Sequence, residues 1–577
     1  MRRPTSPPWE INKGQIKALF YFACALFLLL ASYLWYLQIL KGEEMRKLSE
    51  SITIKLATIP PPRGLILDRN GKIIATNVRK YRILLIGKDV DEKSLKKLSE
   101  ILNVPVATLK DRIAKRAMFD VVELERDIPF EKLVRLVEQL PYLPNIIIEE
   151  VNQRYYPHGS LCAHLVGYVG EISREELNKW KENGYQMGDM VGKMGIERLC
   201  EASLKGEKGG QRMEVDVRGQ VKRLLERVEP KSGEEIRLTI DIDIQRAAEE
   251  ALKGKRGAVV AMNPHTGEIL ALASSPSFDP NLFASPEGKE KERLALFKDK
   301  RHPFLNRAIA GVYPPGSIFK LVTATAGLEE RKISPSVVIN CPGGLQVGKR
   351  FFRCWRRHGG VDFISAIEQS CDTYFYRLGL LLGPGKLSEW ARKLGLGTKT
   401  GIILPGEASG FIADEEWKKK TYGEIWYPGD TANMAVGQGF TQLTPLQACR
   451  MVSVFANGGY LVKPIILLGE KEEKIPVGIS NSTLELVKKG MEEAVMGGAG
   501  TAKLARVKGI TVAGKTGSAE DPPRKRTHAW FVCFAPVENP RIAVSVVVEE
   551  GGMGGSVAAP IAKKVLEAAL LPSADNH

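Results

Sequence analysis

No second long apolar run follows the one near the N-terminus of this 577-residue sequence, which excludes a polytopic membrane protein. Zinc-finger and RNP signatures are missing too, and the net charge of +16 comes from basic residues spread along the chain, so nucleic acid is not an expected partner. There is no Gly-x-Ser-x-Gly elbow, which argues against a Ser-His-Asp hydrolase. Hydrophobic residues at 44% and charged residues at 26% are ordinary globular values and rule out collagen-like and wholly disordered chains. At roughly 150 residues per domain the length implies several folded units. The basic excess favours an anionic setting such as a lipid face or an acidic polymer.

What is present begins with Ala18 to Leu40, 23 residues without a charge. At about 1.5 Å per residue a helix of that length crosses a hydrocarbon layer of about 30 Å. The run continues through Trp35 and Tyr36 to Lys41 with no small-residue cleavage site, so it reads as a retained anchor rather than a signal peptide. Arg2, Arg3, Lys13 and Lys17 precede it against Glu10 alone, which leaves residues 1–17 in the cytoplasm and the rest outside the cytoplasmic (inner) membrane, on its periplasmic face.

Beyond the anchor, residues 41–235 read as a mixed α+β pedestal near the membrane. Leu65 to Asp68 and Ile73 to Ala75 are short strands about an Asn70-Gly71 turn, and residues 91–102, 107–117 and 130–139 carry helical spacing. Nothing in this stretch suggests catalysis. A second regime runs from 236 to 571. Gly257 to Met262 and Glu268 to Ser274 form a hairpin, Gly509 to Gly517, Ala529 to Ala535 and Arg541 to Glu549 read as late strands, and Ala559 to Leu570 as a closing helix. Strands at both ends of a helical insert predict one sheet assembled from distant pieces and covered by helices, an α+β fold. The tail 572–577 is expected to be disordered.

Pro314-Pro315-Gly316 cannot sit inside a helix, whereas Ser317 to Glu330 can, so Ser317 is placed at a helix start. Lys320 follows one turn later on the same face, where a neutral amine takes the proton of the Ser317 hydroxyl. Burial and a neighbouring cation would keep that amine neutral. A Ser-x-x-Lys quartet alone is weak. It gains weight from Ser370-Cys371-Asp372 in the insert and Lys515-Thr516-Gly517 in the first late strand, in the order and wide separation of penicillin-binding proteins and β-lactamases.

At this point a resemblance becomes specific. YPPGSIFK around Ser317, SCDTYFY from Ser370, and AGKTGSAE followed by HAWFVCFAP resemble the three active-site motifs of class B penicillin-binding proteins, and RGLILDRNGKIIATN from Arg63 resembles their membrane-proximal module. RCWRRHGG and YPGDTANMAVGQG are most similar to the family's cell-elongation members. The resemblance implies a penicillin-binding, β-lactamase-like transpeptidase domain with a central antiparallel sheet flanked by helices, on an elongated pedestal. It implies that Ser317 attacks the penultimate D-alanine carbonyl of a peptidoglycan stem, with Lys320 as base and Ser370 as proton relay. Lys515 and Thr516 would hold the substrate carboxylate, and the N–H groups of Ser317 and Ser518 would form an oxyanion hole. Gly517 would let substrate approach the strand edge. Asp372 replaces the commoner asparagine of the wider superfamily; the expectation is that it pairs with a lysine and balances the cleft.

Gly509 to Thr516 matches the Walker A pattern, but Ile510 to Ala513 are strand formers and Asp521-Pro-Pro523 blocks a following helix, so nucleotide binding is rejected. Cys341, Cys354, His358 and Cys371, at intervals of 13, 4 and 13 residues, form a ligand set suited to structural Zn2+, with a Cys341–Cys354 disulfide as the alternative. Elongation members of the family carry zinc on two Asp, a His and a Cys; here both aspartates would be cysteines. Cys162 and Cys200 are expected to be free thiols, His528 a structural strand-end residue, and no organic cofactor is implied.

The rivals are a β-lactamase or carboxypeptidase that passes the acyl group to water, a septal rather than elongation transpeptidase, and a non-catalytic β-lactam sensor or scaffold. Anchor and pedestal favour a synthase held near its polymer. Peptidoglycan stem peptides, β-lactam antibiotics, the membrane, a SEDS-type glycosyltransferase and other elongation-complex proteins are the partners the resemblance implies.

Overall fold

The computed structural model describes residues 13–45, 54–86, 91–115, 121–125, 127–143, 146–215, 221–285, 289–522 and 526–571. The expected disordered tail, 572–577, and the first twelve residues lie outside them. The anchor is the helix Lys13–Trp35, continued by a π-helical turn Tyr36–Leu40. Its 27 residues Gly14–Leu40 are long and apolar enough to cross a membrane, and none of them is buried.

The chain packs as two compact units that do not follow chain order: 1–61, 79–152 and 207–231 form one, and 62–78, 153–206 and 232–577 the other. In the first, the helices Glu92–Leu102, Val106–Lys115 and Phe130–Gln139 stand where periodicity placed them. Leu95, Leu98 and Leu102 recur on one face of the first helix and are buried with Leu109, Leu133 and Leu136. Asp91 accepts from the Ser94 N–H and caps that helix.

The second unit is built on a five-stranded antiparallel sheet in the order Ile269–Ser275, Gly257–Met262, Ile542–Val548, His528–Ala535, Ala513–Ala519. Side chains alternate across a strand, and here the alternation sorts them into two cores. Val259 and Ala261 pack with Ala248 of the helix Ile242–Leu252 and Ala558 of the helix Gly554–Leu570. Ala258, Val260 and Met262 face the other way, with Met451 and Val452 of the helix Pro445–Ala456. Covered on both faces, the strands read as the near-continuous apolar runs seen in the sequence.

The first late strand begins four residues later than expected, at Ala513, because Gly509 has φ 74° and Val507 bridges back to Ile510, holding those residues in a turn. Lys515 sits in mid-strand opposite Val532, and the next element is another strand, so the Walker-like letters launch no helix.

Candidate active site

The Ser317 turn is clamped from two sides. Gly316 has φ 56°, and the single 3-10 turn Gly316–Phe319 leads into the helix Lys320–Glu329. The Gly316 N–H donates to Gly437 O at 2.9 Å, and the indole Nε1 of Trp530 donates to Pro314 O at 2.9 Å. Gly517 passes so close beneath the turn that a Cβ there would lie 2.9 Å from Pro315 O and 3.0 Å from the Trp530 Cβ. The bare Cα of Gly517 thus admits the Ser317 turn, a constraint distinct from the access to substrate that the motif suggested.

Three motifs converge on one hydroxyl. Lys515 Nζ donates to Ser370 Oγ at 2.8 Å, and Lys320 Nζ reaches the same oxygen at 3.1 Å and the Ser370 carbonyl at 2.8 Å. Both lysines are wholly buried. Lys320 Nζ also lies 2.7 Å from Asp372 Oδ1, so the lysine–carboxylate pair is present. Asp372 Oδ2 accepts from the Trp355 N–H at 3.3 Å. Ser370 adopts φ 54°, the left-handed region rare for residues with a side chain, as happens where a site over-determines the backbone. Among the described residues neither amine hydrogen-bonds Ser317 Oγ; both meet at Ser370.

Electrostatics separates the two amines. Burial, and then the charge of Lys320, hold Lys515 well below the ordinary lysine range, with Asp372 opposing. Two ammonium groups at one hydroxyl with a single carboxylate leave one cation unbalanced, so the pair favours one charged and one neutral amine.

Behind Ser370 lies the cysteine cluster. The ligand atoms of Cys341, Cys354, His358 and Cys371 all fall within 4.8 Å of one another, a grouping that could bind a metal ion. His358 Nδ1 is 3.5 Å from both the Cys341 and Cys354 sulfurs, while its Nε2 is buried without a partner. Cys341 and Cys354 are free thiols, so the disulfide alternative is not formed, and Cys162 and Cys200 are free as well. The hydrogen bond that Cys354 and Cys371 share pulls the Cys354 thiol down and pushes the Cys371 thiol up, and burial opposes ionisation of both. The Asp372 N–H donates to Cys354 Sγ at 3.2 Å, which ties the cluster to the residue that pairs with Lys320.

Ser317, Ser370, Asp372, Thr516, Gly517 and Ser518 all line one cleft of about 1290 Å³. Thr516 Oγ1 donates to Thr501 Oγ1 at 3.0 Å, and Ser518 Oγ accepts from the Gly554 N–H at 3.2 Å. His528 is buried, with Nε2 3.1 Å from Asp521 Oδ2 and Nδ1 accepting from the Glu550 N–H at 3.1 Å; both ring nitrogens are occupied in holding the strand end. Sequence reasoning missed Trp530 as the anchor of the Ser317 turn, Thr501 as the partner of Thr516, and the Arg350–Trp355 segment as a wall of the cleft. Two of the three had a local signal: Trp530 lies in HAWFVCFAP and Arg353 to Trp355 in RCWRRHGG.

Comparison with known proteins agrees with this geometry. Residues 257–567 match the penicillin binding protein transpeptidase domain, and 58–238 the penicillin-binding protein dimerisation domain. The peptidoglycan D,D-transpeptidase MrdA of Acinetobacter baumannii is 34% identical over 98% of this chain and 89% of its own. That of Escherichia coli K12 is 33% identical over 92% and 89%. Among solved structures, penicillin-binding protein PBP2 of Helicobacter pylori in complex with MreC superposes with a TM-score of 0.79 at 32% identity, covering 89% of this chain and 98% of that one. A peptidoglycan synthase complex that coordinates polymerisation and crosslinking gives a TM-score of 0.74 at 32% identity over 98% and 100%. With its three motifs meeting at one buried hydroxyl, an N-terminal apolar helix and relatives of this identity along nearly its whole length, the chain belongs to the class B penicillin-binding proteins of the PBP2, or MrdA, type.

Proposed function

We propose that this protein is the peptidoglycan D,D-transpeptidase of cell-wall elongation and shape maintenance, a serine acyl-transferase that penicillins inactivate. The observation that carries the reading is the junction at Ser370 Oγ, 2.8 Å from Lys515 Nζ and 3.1 Å from Lys320 Nζ, in the cleft that Ser317 lines. Ser317 Oγ attacks the carbonyl of the penultimate D-alanine. Its proton goes to Lys320, and the C–N bond to the terminal D-alanine breaks as that nitrogen is protonated through Ser370. An amine of a second stem then displaces Ser317 and closes the cross-link.

Lys320 must be neutral to act. Ser370 touches both lysines, and its hydroxyl links them as a proton relay. Asp372 then balances whichever amine is charged. The N–H groups of Ser317 and Ser518 serve as oxyanion donors, each worth about 3 kcal/mol in comparable sites. Thr516 with Thr501 receives the substrate carboxylate beside Lys515. Intact-mass analysis of the full chain after penicillin treatment is expected to show one adduct, mapped to Ser317 and lost in Ser317→Ala. A wild type that stays unmodified while folded overturns the assignment.

Cys341, Cys354, His358 and Cys371 fit structural Zn2+ by their donor chemistry and by the imidazole nitrogen already turned to two sulfurs. When bound, the ion supplies no reactive group; it fixes the backbone from Cys371 into Ser370 and Asp372. One zinc per chain is expected by elemental analysis of purified protein, and none would remove the assignment.

In chain order, residues 41–235 serve as the membrane-proximal pedestal and 236–571 as the transpeptidase domain. The charges before the anchor keep the N-terminus inside and the cleft on the periplasmic face. A SEDS-type glycosyltransferase and MreC-like elongation proteins are the partners; the second is supported by the Helicobacter pylori complex.

A further inference from the structure

The cysteine cluster supports the site from behind, yet one of its sulfurs belongs to a residue of the cleft wall. All eight cysteines are free thiols, and Cys354 alone among them lines the cleft that Ser317 lines. It is 9% exposed, against 1% for Cys341 and 0% for Cys371. Cys162, Cys449 and Cys533 are buried, and none of them lines the cleft. Oxidation of thiols follows access, so a small oxidant that enters the cleft meets Cys354 first.

A second thiol is in contact with it. Cys354 and Cys371 share a hydrogen bond, whereas Cys341 Sγ is turned to Thr373 Oγ1 at 3.1 Å and Arg356 O at 3.7 Å. Cys371 is therefore the thiol placed to resolve an oxidised Cys354. Both residues reach the acylation chemistry. The Asp372 N–H donates to Cys354 Sγ at 3.2 Å. Cys371 stands between Ser370, whose hydroxyl both lysines reach, and Asp372, which lies 2.7 Å from Lys320 Nζ. It is also the residue that opens the helix Asp372–Lys393. A disulfide between the two would remove the sulfur acceptor of the Asp372 N–H and draw the backbone of Cys371 out of register with both neighbours.

We infer that Cys354 is a peroxide-reactive thiol with Cys371 as its resolving partner, a reversible switch that slows acylation when an oxidant reaches the cleft; its output rests on the transpeptidase reading above. The Cys354 sulfur attacks one oxygen of hydrogen peroxide, the O–O bond breaks, and the sulfur keeps a hydroxyl while the thiol proton leaves with the other oxygen as water. The Cys371 sulfur then displaces that hydroxyl, the S–S bond forms, and the hydroxyl departs with the Cys371 proton as a second water. Two thiols are oxidised and one peroxide is reduced. With zinc in the cluster the same sulfurs are thiolates, solvent supplies the two protons, and the ion is released because two of its ligands are gone.

Full-length protein treated with hydrogen peroxide is read in three ways: the disulfide map by mass spectrometry, zinc released to a chromogenic chelator, and the rate of penicillin acylation at Ser317. The expected result is a Cys354–Cys371 bridge, loss of the zinc present beforehand, and acylation slowed at least about tenfold, the lower end of what losing a supporting contact around a metal site costs. Dithiothreitol with added zinc should restore the rate. Cys354→Asp keeps a zinc donor without a sulfur in the cleft wall, so its rates before and after peroxide should agree within about twofold. Cys341→Asp leaves the reactive pair intact and should keep the response. Wild-type thiols that stay reduced, a bridge to Cys341 instead, a Cys354–Cys371 bridge with an unchanged rate, or a Cys354→Asp protein that peroxide still slows overturns the inference. Protein that holds no zinc before treatment removes the zinc assignment alone, because the bridge and the rate still decide the switch. Reduced wild type that penicillin does not label at Ser317 overturns the transpeptidase reading, and with it the output of the switch, while the bridge is judged on the map.

Discussion

Lys515 shows what a working amine costs the fold. Its pKa in the folded protein lies well below the ordinary value of 10.5, so the folded state binds fewer protons than the unfolded one. By linkage, stability then rises with pH, and the penalty for burying this residue grows as pH falls from the unfolded pKa toward the folded one. Lys515→Met, similar in volume and uncharged, is expected to lower penicillin acylation by at least about a hundredfold, the scale of a lost proton-transfer group. It should also raise the melting temperature, and by more at pH 6 than at pH 9. A lower melting temperature at both pH values would mean that the amine stabilises the fold. Asp372→Asn acts on the same balance. The Asp372 carboxylate raises the pKa of Lys515, so without it that amine loses its proton more readily and the acid limb of the acylation profile should move to lower pH. An unmoved limb would leave Asp372 with no electrostatic role.

Elements carry these residues into register, and here the close approach of the Ser317 turn to the strand Ala513–Ala519 decides. Gly517→Ala would set a Cβ 2.9 Å from Pro315 O, backbone that cannot swing aside. Overpacking of this kind costs about 1–3 kcal/mol. The expected result is a lower melting temperature together with slower acylation, because relief of the clash moves Ser317; a normal acylation rate would show that the turn has slack. Much of this was legible in the sequence. The three helices between 91 and 117 and between 130 and 139 follow from apolar spacing, and the sheet strands from their β-branched runs, since periodicity reports which face a local element buries. The quartet from Ser317 to Lys320 is legible for the same reason, being one helical turn. What joins Lys515 to Ser370, 145 positions apart, is a tertiary contact that spacing cannot report, and it came through family motifs instead. The HAWFVCFAP motif does not say that Trp530 bonds Pro314, and the Thr501–Thr516 pair had no motif to announce it. Nor did the alternation of Val259 and Val260 between two cores, since both residues are buried and no polar partner marks the face.

At the scale of the molecule, packing disagrees with chain order. A cut near residue 236 looks natural in the sequence, yet residues 62–78 and 153–206 belong to the same compact unit as the sheet. Ile66, Ile74, Tyr156, Leu165, Val169, Ile196 and Leu204 share a core with Leu238 and Ile240. Ile66 and Leu67 pair in parallel with Ile236 and Arg237. Within these segments Glu197 is wholly buried, receives Arg63 Nε and Arg154 Nε at 2.6 Å each, and accepts from the Tyr156 hydroxyl at 3.1 Å. Arg63 also reaches Glu201 at 2.6 Å. Breaking such a buried pair by removing one partner costs about 3–5 kcal/mol, because the remaining charge has no water to return to. Residues 236–571 expressed alone should therefore expose an apolar face and aggregate, or melt well below 62–571, which keeps every segment of the unit. Glu197→Gln in the full chain should lower the melting temperature while leaving the penicillin adduct on Ser317, since no atom of Glu197 reaches the cleft lining. Soluble 236–571 protein that melts within a degree or two of 62–571 would show that the early segments decorate the catalytic unit rather than complete it.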